Sequence, residues 1–169
     1  MRSTLVLTAV GLFVALAGVT ACGGARDDEG ASTVSPEQAR ADTTGVAQRT
    51  AQRLREAGFE PASARGEYVT CRSEPAPGVA YRIGITARGD GDAAAQVRRL
   101  AEVMERDRWE VLSGPSADGA SFRREGLRAV AGESREEGAV ALAVTGECVD
   151  LPADGADVPL RRQEDVDLG

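Results

Sequence analysis

The sequence predicts an α+β fold in which two helices pack on one face of an antiparallel sheet. Two segments carry apolar residues at helical spacing, and six shorter segments have the composition or alternation of strands. Their order along the chain is helix, two strands, helix, then four strands. Together they fill residues 36–151, a length typical of one domain with a single core.

The first helix is predicted from residue 36 to about residue 57. Ser35 can cap it, Pro36 fits the first turn, and Gln38 can complete a capping box. Gly58 supplies the stop. We expect the part around residues 43–45 to fray. The inward stripe is thin for the helix length and consists of Val46, Ala47, Thr50, Leu54 and Ala57.

Two strands are predicted next, over residues 67–72 and 79–88. The prolines and glycine of residues 74–78 indicate a turn between them, so the pair is expected to form a hairpin. In the second strand one face is apolar and the other carries Arg82, Thr86 and Arg88. We therefore expect the apolar face to pack on the core and the other face to be exposed to solvent. The apolar face consists of Val79, Tyr81, Ile83, Ile85 and Ala87.

The second helix is predicted from residue 93 to about residue 108, with Asp92 as its cap. Its apolar stripe has helical spacing and consists of Val97, Leu100, Ala101 and Met104. Four strands follow, over residues 109–112, 120–124, 127–131 and 139–148. Their connections contain Gly114, Gly119, Gly126 and Gly138.

The first 21 residues have the features of an export signal. Arg2 gives a positive start, residues 5–17 are apolar, and the small residues of 19–21 precede Cys22. The apolar run is shorter than the roughly 20 residues that span a bilayer. This pattern matches a lipobox, which predicts a diacylglyceryl group on Cys22 and cleavage before it. The alternative is an ordinary secretory signal beside a cysteine, and both interpretations export the protein.

The two flanks of the domain are predicted to be unstructured. Residues 22–35 are small, polar and charged, which indicates a flexible tether between the lipid anchor and the domain. Residues 152–169 mix acidic residues with glycine, proline and a few apolar residues, which indicates a disordered acidic tail.

Cys71 and Cys148 remain once Cys22 is assigned to lipid. In an oxidising compartment such a pair is usually joined, so a disulfide is predicted, with two buried reduced thiols as the alternative. The bond would tie the first strand to the last, and we expect these two strands to be neighbours in the sheet.

The composition argues against an enzyme. The chain has no histidine, which removes the commonest general base and metal ligand, so neither a hydrolase triad nor a zinc site can be built from the usual residues. No catalytic, cofactor or metal residue is therefore predicted. After loss of residues 1–21, 19 arginines face 27 acidic residues, a net charge of −8, which disfavours nucleic acid as a partner.

Three residue groups carry alternative interpretations. Asp90 and Asp92 are interpreted as a turn and a helix cap. The alternative is that they bind a cation or act as an acid–base pair. The charged face of the second helix is typical of a solvated surface. The alternative is that its arginines bind an anionic glycan or lipid headgroup. The aromatic residues fit the core, or a hydrophobic ligand cleft. The charged face consists of Arg98, Arg99, Glu102, Glu105, Arg106 and Arg108. The aromatic residues are Tyr68, Tyr81, Trp109 and Phe122.

The lipobox, the tether, the order of elements and the closing Val144-Thr145-Gly146-Glu147-Cys148-Val149 resemble the small actinobacterial lipoproteins of the LppA type. The resemblance implies a cell-surface lipoprotein without a defined activity, and it transfers no binding residue.

The sequence therefore predicts a non-enzymatic binding module of the cell envelope. Its lipid anchor places it on the extracytoplasmic face of the cell membrane, where it would bind an unknown protein or envelope ligand. Two alternatives stay open, a carboxylate-dependent envelope enzyme or accessory subunit, and a carrier of a small apolar ligand.

Overall fold

The computed structural model describes residues 34–74, 76–116, 119–151 and 158–169. Within them, helices α1 (Pro36–Glu56) and α2 (Ala93–Arg106) pack on one face of an eight-stranded sheet whose neighbouring strands are antiparallel. The predicted α+β class and element order are confirmed. The strands are β1 (Glu60–Arg72), β2 (Gly78–Arg88), β3 (Glu110–Ser116), β4 (Gly119–Arg124), β5 (Leu127–Glu133), β6 (Ala139–Thr145), β7 (Val149–Asp150) and β8 (Glu164–Asp165).

The sheet does not follow chain order. Its strands run β3-β4-β5-β6-β2-β1-β8, and the short β7 pairs with the start of β2. The long strand β2 is therefore central, because it pairs with β1 along one edge and with β6 and β7 along the other. It carries the clearest alternation of buried and exposed residues in the sequence, as a central strand of a half-buried sheet should.

Helix α1 is continuous through the part that was predicted to fray. The Ser35 hydroxyl accepts a hydrogen bond from the Gln38 backbone N–H at 3.2 Å, as predicted for the cap. Thr43 is buried, and its hydroxyl donates to the Ala39 carbonyl oxygen at 2.6 Å. A β carbon on Gly146 would overlap that hydroxyl. The fraying prediction is wrong because close packing against the segment after β6 holds this turn.

The first strand is longer than predicted and the last main strand is shorter. β1 begins at Glu60 instead of residue 67, since pairing with β2 extends along its whole length. Its first half is rich in small and polar residues, which hides the alternation. β6 ends at Thr145 instead of residue 148. The Gly146 N–H still donates to the Tyr81 carbonyl oxygen at 2.9 Å, in the register of the β2–β6 pair, and the next three residues do not pair with β2 as part of β6.

The core consists of two apolar clusters on the helix side of the sheet. The larger cluster lies mainly under α2 and includes Leu100, Met104, Trp109, Phe122 and Leu142. The smaller cluster lies under α1 and consists of Ala39, Ala47, Ala64, Tyr68, Val79, Tyr81, Ile83, Ile85 and Val149. The apolar stripe predicted for α1 is divided between the clusters, with Ala47 in the smaller one and Val46 and Leu54 in the larger one.

Residues 158–169 pack against the domain, so the prediction of a disordered tail is wrong for them. β8 pairs with β1, and the Val166 N–H donates to the Ala64 carbonyl oxygen at 3.0 Å. Val158, Val166 and Leu168 pack on the smaller core cluster, and this burial offsets the entropy of ordering the segment. The rest of the predicted tail, residues 152–157, lies outside the described residues.

The other face of the sheet is exposed to solvent. Small side chains share one row across it, because Gly84 pairs with Ala143, Ala143 with Val130 and Val130 with Ser121. Val130 is 58% exposed, and a β carbon added to Gly132 would meet no atom within 4 Å.

Among the described residues, no helix is both long enough and apolar enough to cross a membrane. The predicted signal, Cys22 and nearly all of the predicted tether precede residue 34 and lie outside the described residues.

Candidate functional site

Cys71 and Cys148 form a disulfide, as predicted, with their Cα atoms 5.9 Å apart. The expected adjacency of the first and last main strands is wrong, since β2 lies between β1 and β6. Cys148 instead follows β6 and reaches Cys71 past the first residue of β2. A β carbon on that residue, Gly78, would lie 2.9 Å from the Cys148 Sγ atom, so a larger residue would obstruct this path.

Tyr68 and Tyr81 form an edge-to-face pair that joins three parts of the chain, with ring centroids 5.0 Å apart. The Tyr68 hydroxyl donates to the Pro36 carbonyl oxygen at 3.1 Å, at the start of α1. The Tyr81 hydroxyl donates to the Glu164 carboxylate, which Arg40 contacts at 2.8 Å. Burial raises the pKa of both hydroxyls above the usual 10.0, and the Glu164 carboxylate raises that of Tyr81 further.

This tyrosine cluster indicates a structural role. A cleft of about 330 Å³ opens beside it, but the polar ends of both rings already have partners inside the chain. A β carbon on Gly66 would overlap the Tyr81 hydroxyl, so the close approach of β1 requires glycine at this position.

A larger open cleft of about 600 Å³ lies beside α1, at the joint between α2 and β3 and at the end of β4. We call it the arginine cleft. Its lining is more cationic than the rest of this acidic chain, whose net charge is −7. The lining residues are Val46, Arg49, Asp107, Arg108, Glu110, Arg123, Arg124, Glu125 and Leu127.

Arg124 is held in place from two sides. Its guanidinium lies 4.6 Å from the centroid of the Trp109 ring, a cation–π contact. Its Nη1 atom donates to the Asp107 carbonyl oxygen at 2.9 Å and to the Asp107 carboxylate at 2.8 Å. Only 18% of this side chain is exposed. Trp109 is buried beneath it, and the Trp109 Nε1 atom has no hydrogen-bond partner within the described chain.

The other arginines of the cleft fall into two groups. Arg123 makes a bidentate pair with the Glu110 carboxylate, because its Nε atom donates to Oε2 and its Nη2 atom to Oε1, each at 3.1 Å. Arg49 and Arg108 are exposed, and neither forms an ion pair with any residue in the described ranges. Two of the four guanidinium groups are therefore available to a ligand.

Arg108 has a backbone conformation that residues other than glycine rarely adopt. Its φ angle is +65°, and it connects the end of α2 to the buried Trp109. It is the residue after the C-cap of α2, where the Arg108 N–H donates to the Glu105 carbonyl oxygen at 2.9 Å and the Trp109 N–H to that of Met104 at 3.0 Å, a Schellman motif that ends the helix. Because Trp109 packs in the larger core cluster, the short connection fixes the backbone of Arg108 at the cleft.

A second cleft, of about 350 Å³, adjoins the arginine cleft between the two helices. Arg53 and Arg106 contribute to it, and Asp107 lines both clefts. Arg53 is paired with Glu56 at 2.8 Å and lies 3.8 Å from Asp107. This second cleft has equal numbers of positive and negative side chains.

The acidic pair predicted as a turn and cap behaves in that way. Asp92 caps α2, because its carboxylate accepts a hydrogen bond from the Ala95 N–H at 2.7 Å. The Asp90 carbonyl oxygen accepts one from Arg99 at 3.3 Å. In the described ranges, no group of three or more acidic or cysteine side chains is placed to hold a metal ion.

The charged face predicted on α2 does not act as one surface. Arg99 turns back to the domain, where it donates to the Ala57 carbonyl oxygen at 2.8 Å and stacks 5.1 Å from the Phe59 ring centroid. Arg106 and Arg108 border two different clefts. The predicted aromatic residues also stay apart, with Trp109 and Phe122 in the larger core cluster and the two tyrosines in the smaller one.

Sequence reasoning missed Arg49, Arg123 and Arg124 as site residues. Arg49 lies on α1 and the other two lie on β4, so only the fold brings them together. The adjacent arginines before the Glu125-Gly126 turn were a weak signal, since such pairs are common at exposed strand ends.

No curated protein and no solved structure matches the chain. The family described as "Putative lipoprotein LppJ" matches residues 35–167, which include both helices, all the strands and the arginine cleft. This match does not test the resemblance to LppA-type proteins, which stays a prediction. The chain belongs to the LppJ lipoprotein family.

Proposed function

We propose that this protein is a non-enzymatic binding module, anchored by lipid at Cys22 on the extracytoplasmic face of the cell membrane, with the arginine cleft as its ligand site. Membership of a lipoprotein family supports the association with the membrane. The single observation that carries the binding role is the arrangement of the cleft. Arg124 is fixed between Trp109 and Asp107, while Arg49 and Arg108 have no ion pair in the described chain.

The anchor and the tether give the domain its reach. Two acyl chains on Cys22 would hold the protein stably, because each buried methylene contributes about 0.8 kcal/mol and one chain binds only marginally. Residues 22–35 could extend at most about 50 Å at 3.3–3.6 Å per residue. The cleft could then reach ligands in the membrane surface or in the envelope beyond it.

The disulfide supports export. Cys71 is exposed and Cys148 is half-buried, so the bond is accessible to reductants and would persist only in an oxidising compartment.

The carboxylates of the cleft favour binding over catalysis. Asp107 accepts hydrogen bonds from Arg124, and Glu110 accepts them from Arg123. A carboxylate that acts on a substrate must direct its oxygens at that substrate, whereas these oxygens accept hydrogen bonds from guanidinium groups. These two side chains therefore orient the arginines. Glu125 is then the one carboxylate of the cleft without an ion pair in the described chain, whereas acid–base chemistry by carboxylates uses two.

The anchor is tested by growing cells with a radioactive fatty acid. The wild-type chain should be labelled, and Cys22→Ser should not. The matched control replaces both other cysteines, Cys71→Ser with Cys148→Ser, and should keep its label. Label on Cys22→Ser would refute the anchor. Thiols of the folded wild type that react with an alkylating reagent before reduction would refute the exported location.

The binding role is tested in living cells by placing a photo-crosslinking amino acid at position Glu125, on the cleft. The matched control places it at Glu133, which is exposed at the end of β5. A discrete crosslinked product at 125 and none at 133 is expected. Equal products at both positions, or none at 125, would contradict a binding module that uses this cleft.

A further inference from the structure

This inference rests on the proposed function and names the ligand class. We propose that the arginine cleft binds the phosphate ester of a polyol or sugar, with the phosphate on the arginines and the hydroxyl groups near Glu125. The cleft holds four arginines from three elements, an acidic residue without an ion pair in the described chain, and a small apolar surface.

Phosphate fits this set of arginines better than a carboxylate does. Arg49 comes from α1, Arg108 from the joint between α2 and β3, and Arg124 from β4. A carboxylate is planar, and a single arginine fork occupies both its oxygens. A phosphate group presents three oxygens in a tetrahedral arrangement, so it can accept from guanidinium groups that approach from several directions.

The arginines that line the cleft have donors to spare for a phosphate. Arg49 and Arg108 have exposed side chains and no ion pair in the described chain, and a guanidinium carries five N–H donors. Arg124 has already lost its freedom by stacking on Trp109 and pairing with Asp107. Ligand binding therefore costs less side-chain entropy than it would with four mobile arginines.

Glu125 favours a ligand that carries hydroxyl groups as well as phosphate. It lies on the same cleft, is exposed, and makes no ion pair with a described residue. A second phosphate placed against it would be repelled, whereas a polyol hydroxyl can donate to its carboxylate. Val46 and Leu127 provide an apolar surface for the carbon skeleton of the ligand, which joins its phosphate to its hydroxyl groups.

Because the protein is acidic outside the cleft, the cleft has to recognise an anionic ligand through short-range contacts. The net charge of −7 does not attract an anion from a distance, so affinity has to come from direct contacts inside the cleft. This disfavours nucleic acids and other dense polyanions, whose many phosphates would also face the acidic surroundings.

The test uses the lipidated full chain, purified in detergent, with inositol 1-phosphate, glycerol 1-phosphate, inorganic phosphate and gluconate as probes. Trp109 is the one tryptophan of the chain and lies under Arg124, so its fluorescence reports on the cleft, and calorimetry provides an independent affinity. We expect inositol 1-phosphate and glycerol 1-phosphate to bind more tightly than inorganic phosphate, and gluconate to bind weakest.

Arg49→Gln and Arg108→Gln should each weaken inositol 1-phosphate binding by about tenfold, as expected when a hydrogen bond to a charged group is lost. Arg88→Gln is the matched control, because Arg88 is half-exposed and paired with Glu136 at 2.9 Å on another part of the sheet. It should bind as the wild type does. Glu125→Gln should reduce the preference for inositol 1-phosphate over inorganic phosphate. Unchanged thermal melting curves would show that each variant is folded.

Reconstitution into vesicles distinguishes two sources of the phosphate ester, a lipid headgroup and a soluble or polymer-borne compound. If the ligand is a lipid headgroup, the protein in phosphatidylinositol vesicles should no longer respond to soluble inositol 1-phosphate, while in phosphatidylcholine vesicles it should. If the ligand is a soluble or polymer-borne ester, the response should be equal in both.

The proposal is overturned if gluconate binds as tightly as the phosphate esters, if neither ester binds at millimolar concentration, or if Arg88→Gln weakens binding as much as Arg108→Gln. Fatty-acid labelling at Cys22 and crosslinking at position 125 are independent of these probes. If both succeed while no phosphate binds, the proposed function stands and the ligand assignment fails.

Discussion

Removal of the disulfide should cause a large and specific loss of stability. The bond joins residues separated by 77 positions. Closing a loop of that length lowers the entropy of the unfolded chain, which corresponds to about 4.5 kcal/mol in the free energy of unfolding. Single domains are stable by only about 5–15 kcal/mol, so the reduced protein should be close to unfolding.

Cys71→Ser tests this magnitude most cleanly, because Cys71 is exposed and serine there buries no new polar group. Urea unfolding at equilibrium, followed by circular dichroism, should show the loss of about 4.5 kcal/mol. Cys148→Ser and the double variant should each lose about the same amount, since every one of these chains lacks the same bond. Reductant should destabilise the wild type and leave the double variant unchanged. Additive losses in the double variant would refute the reasoning, as would a loss below about 1 kcal/mol in Cys71→Ser.

Gly66→Ala should destabilise the domain by about 1–3 kcal/mol, because the added methyl group overlaps the Tyr81 hydroxyl. Gly132→Ala on the open sheet face is its control, and equal unfolding curves for the two variants would contradict this packing. Stability should decrease as the pH rises above the usual tyrosine pKa of 10.0, because the folded state raises the pKa of Tyr68 and Tyr81 and so binds their protons more tightly than the unfolded state. Ultraviolet titration of tyrosinate in the folded protein should show this delay, and ionisation near the usual pKa would contradict it. Deleting residues 158–169 should lower the melting temperature, because three apolar side chains leave the smaller core cluster; an unchanged melting temperature would show that the segment does not contribute to folding.

The sequence was most informative where a segment's own side chains determine its structure. The boundaries of β2 were predicted within one residue, because the run from Val79 to Ala87 alternates long enough to define both faces. Helix α2 was equally clear from its cap and stripe. The first half of β1 was missed, because Pro61, Ala62 and Ser63 carry no alternation and only pairing with β2 makes them a strand.

Features that depend on distant partners could not be predicted. The disulfide was expected from the number of cysteines, but its path past Gly78 depends on a strand order that does not follow the chain. The ordering of residues 158–169 depends on apolar contacts with the smaller core cluster, although their composition is typical of disorder.

The candidate site shows the same limit. Arg108 was recognised as part of a charged helix, yet its place on the cleft is a tertiary feature. Arg49 and Arg124 are separated by most of the domain in sequence. Their meeting at one cleft requires the packing of α1 and the joint after α2 beside β4, which no local pattern encodes.

The uncovered side of the sheet has an evolutionary and practical consequence. Gly84, Ala143 and Val130 contribute little to the interior, so substitutions there can alter what the molecule presents without repacking its helices. Such a surface can diversify at a low cost in stability. For the same reason it offers a place where spin labels, dyes or affinity handles could be attached about one sheet thickness away from the folded core.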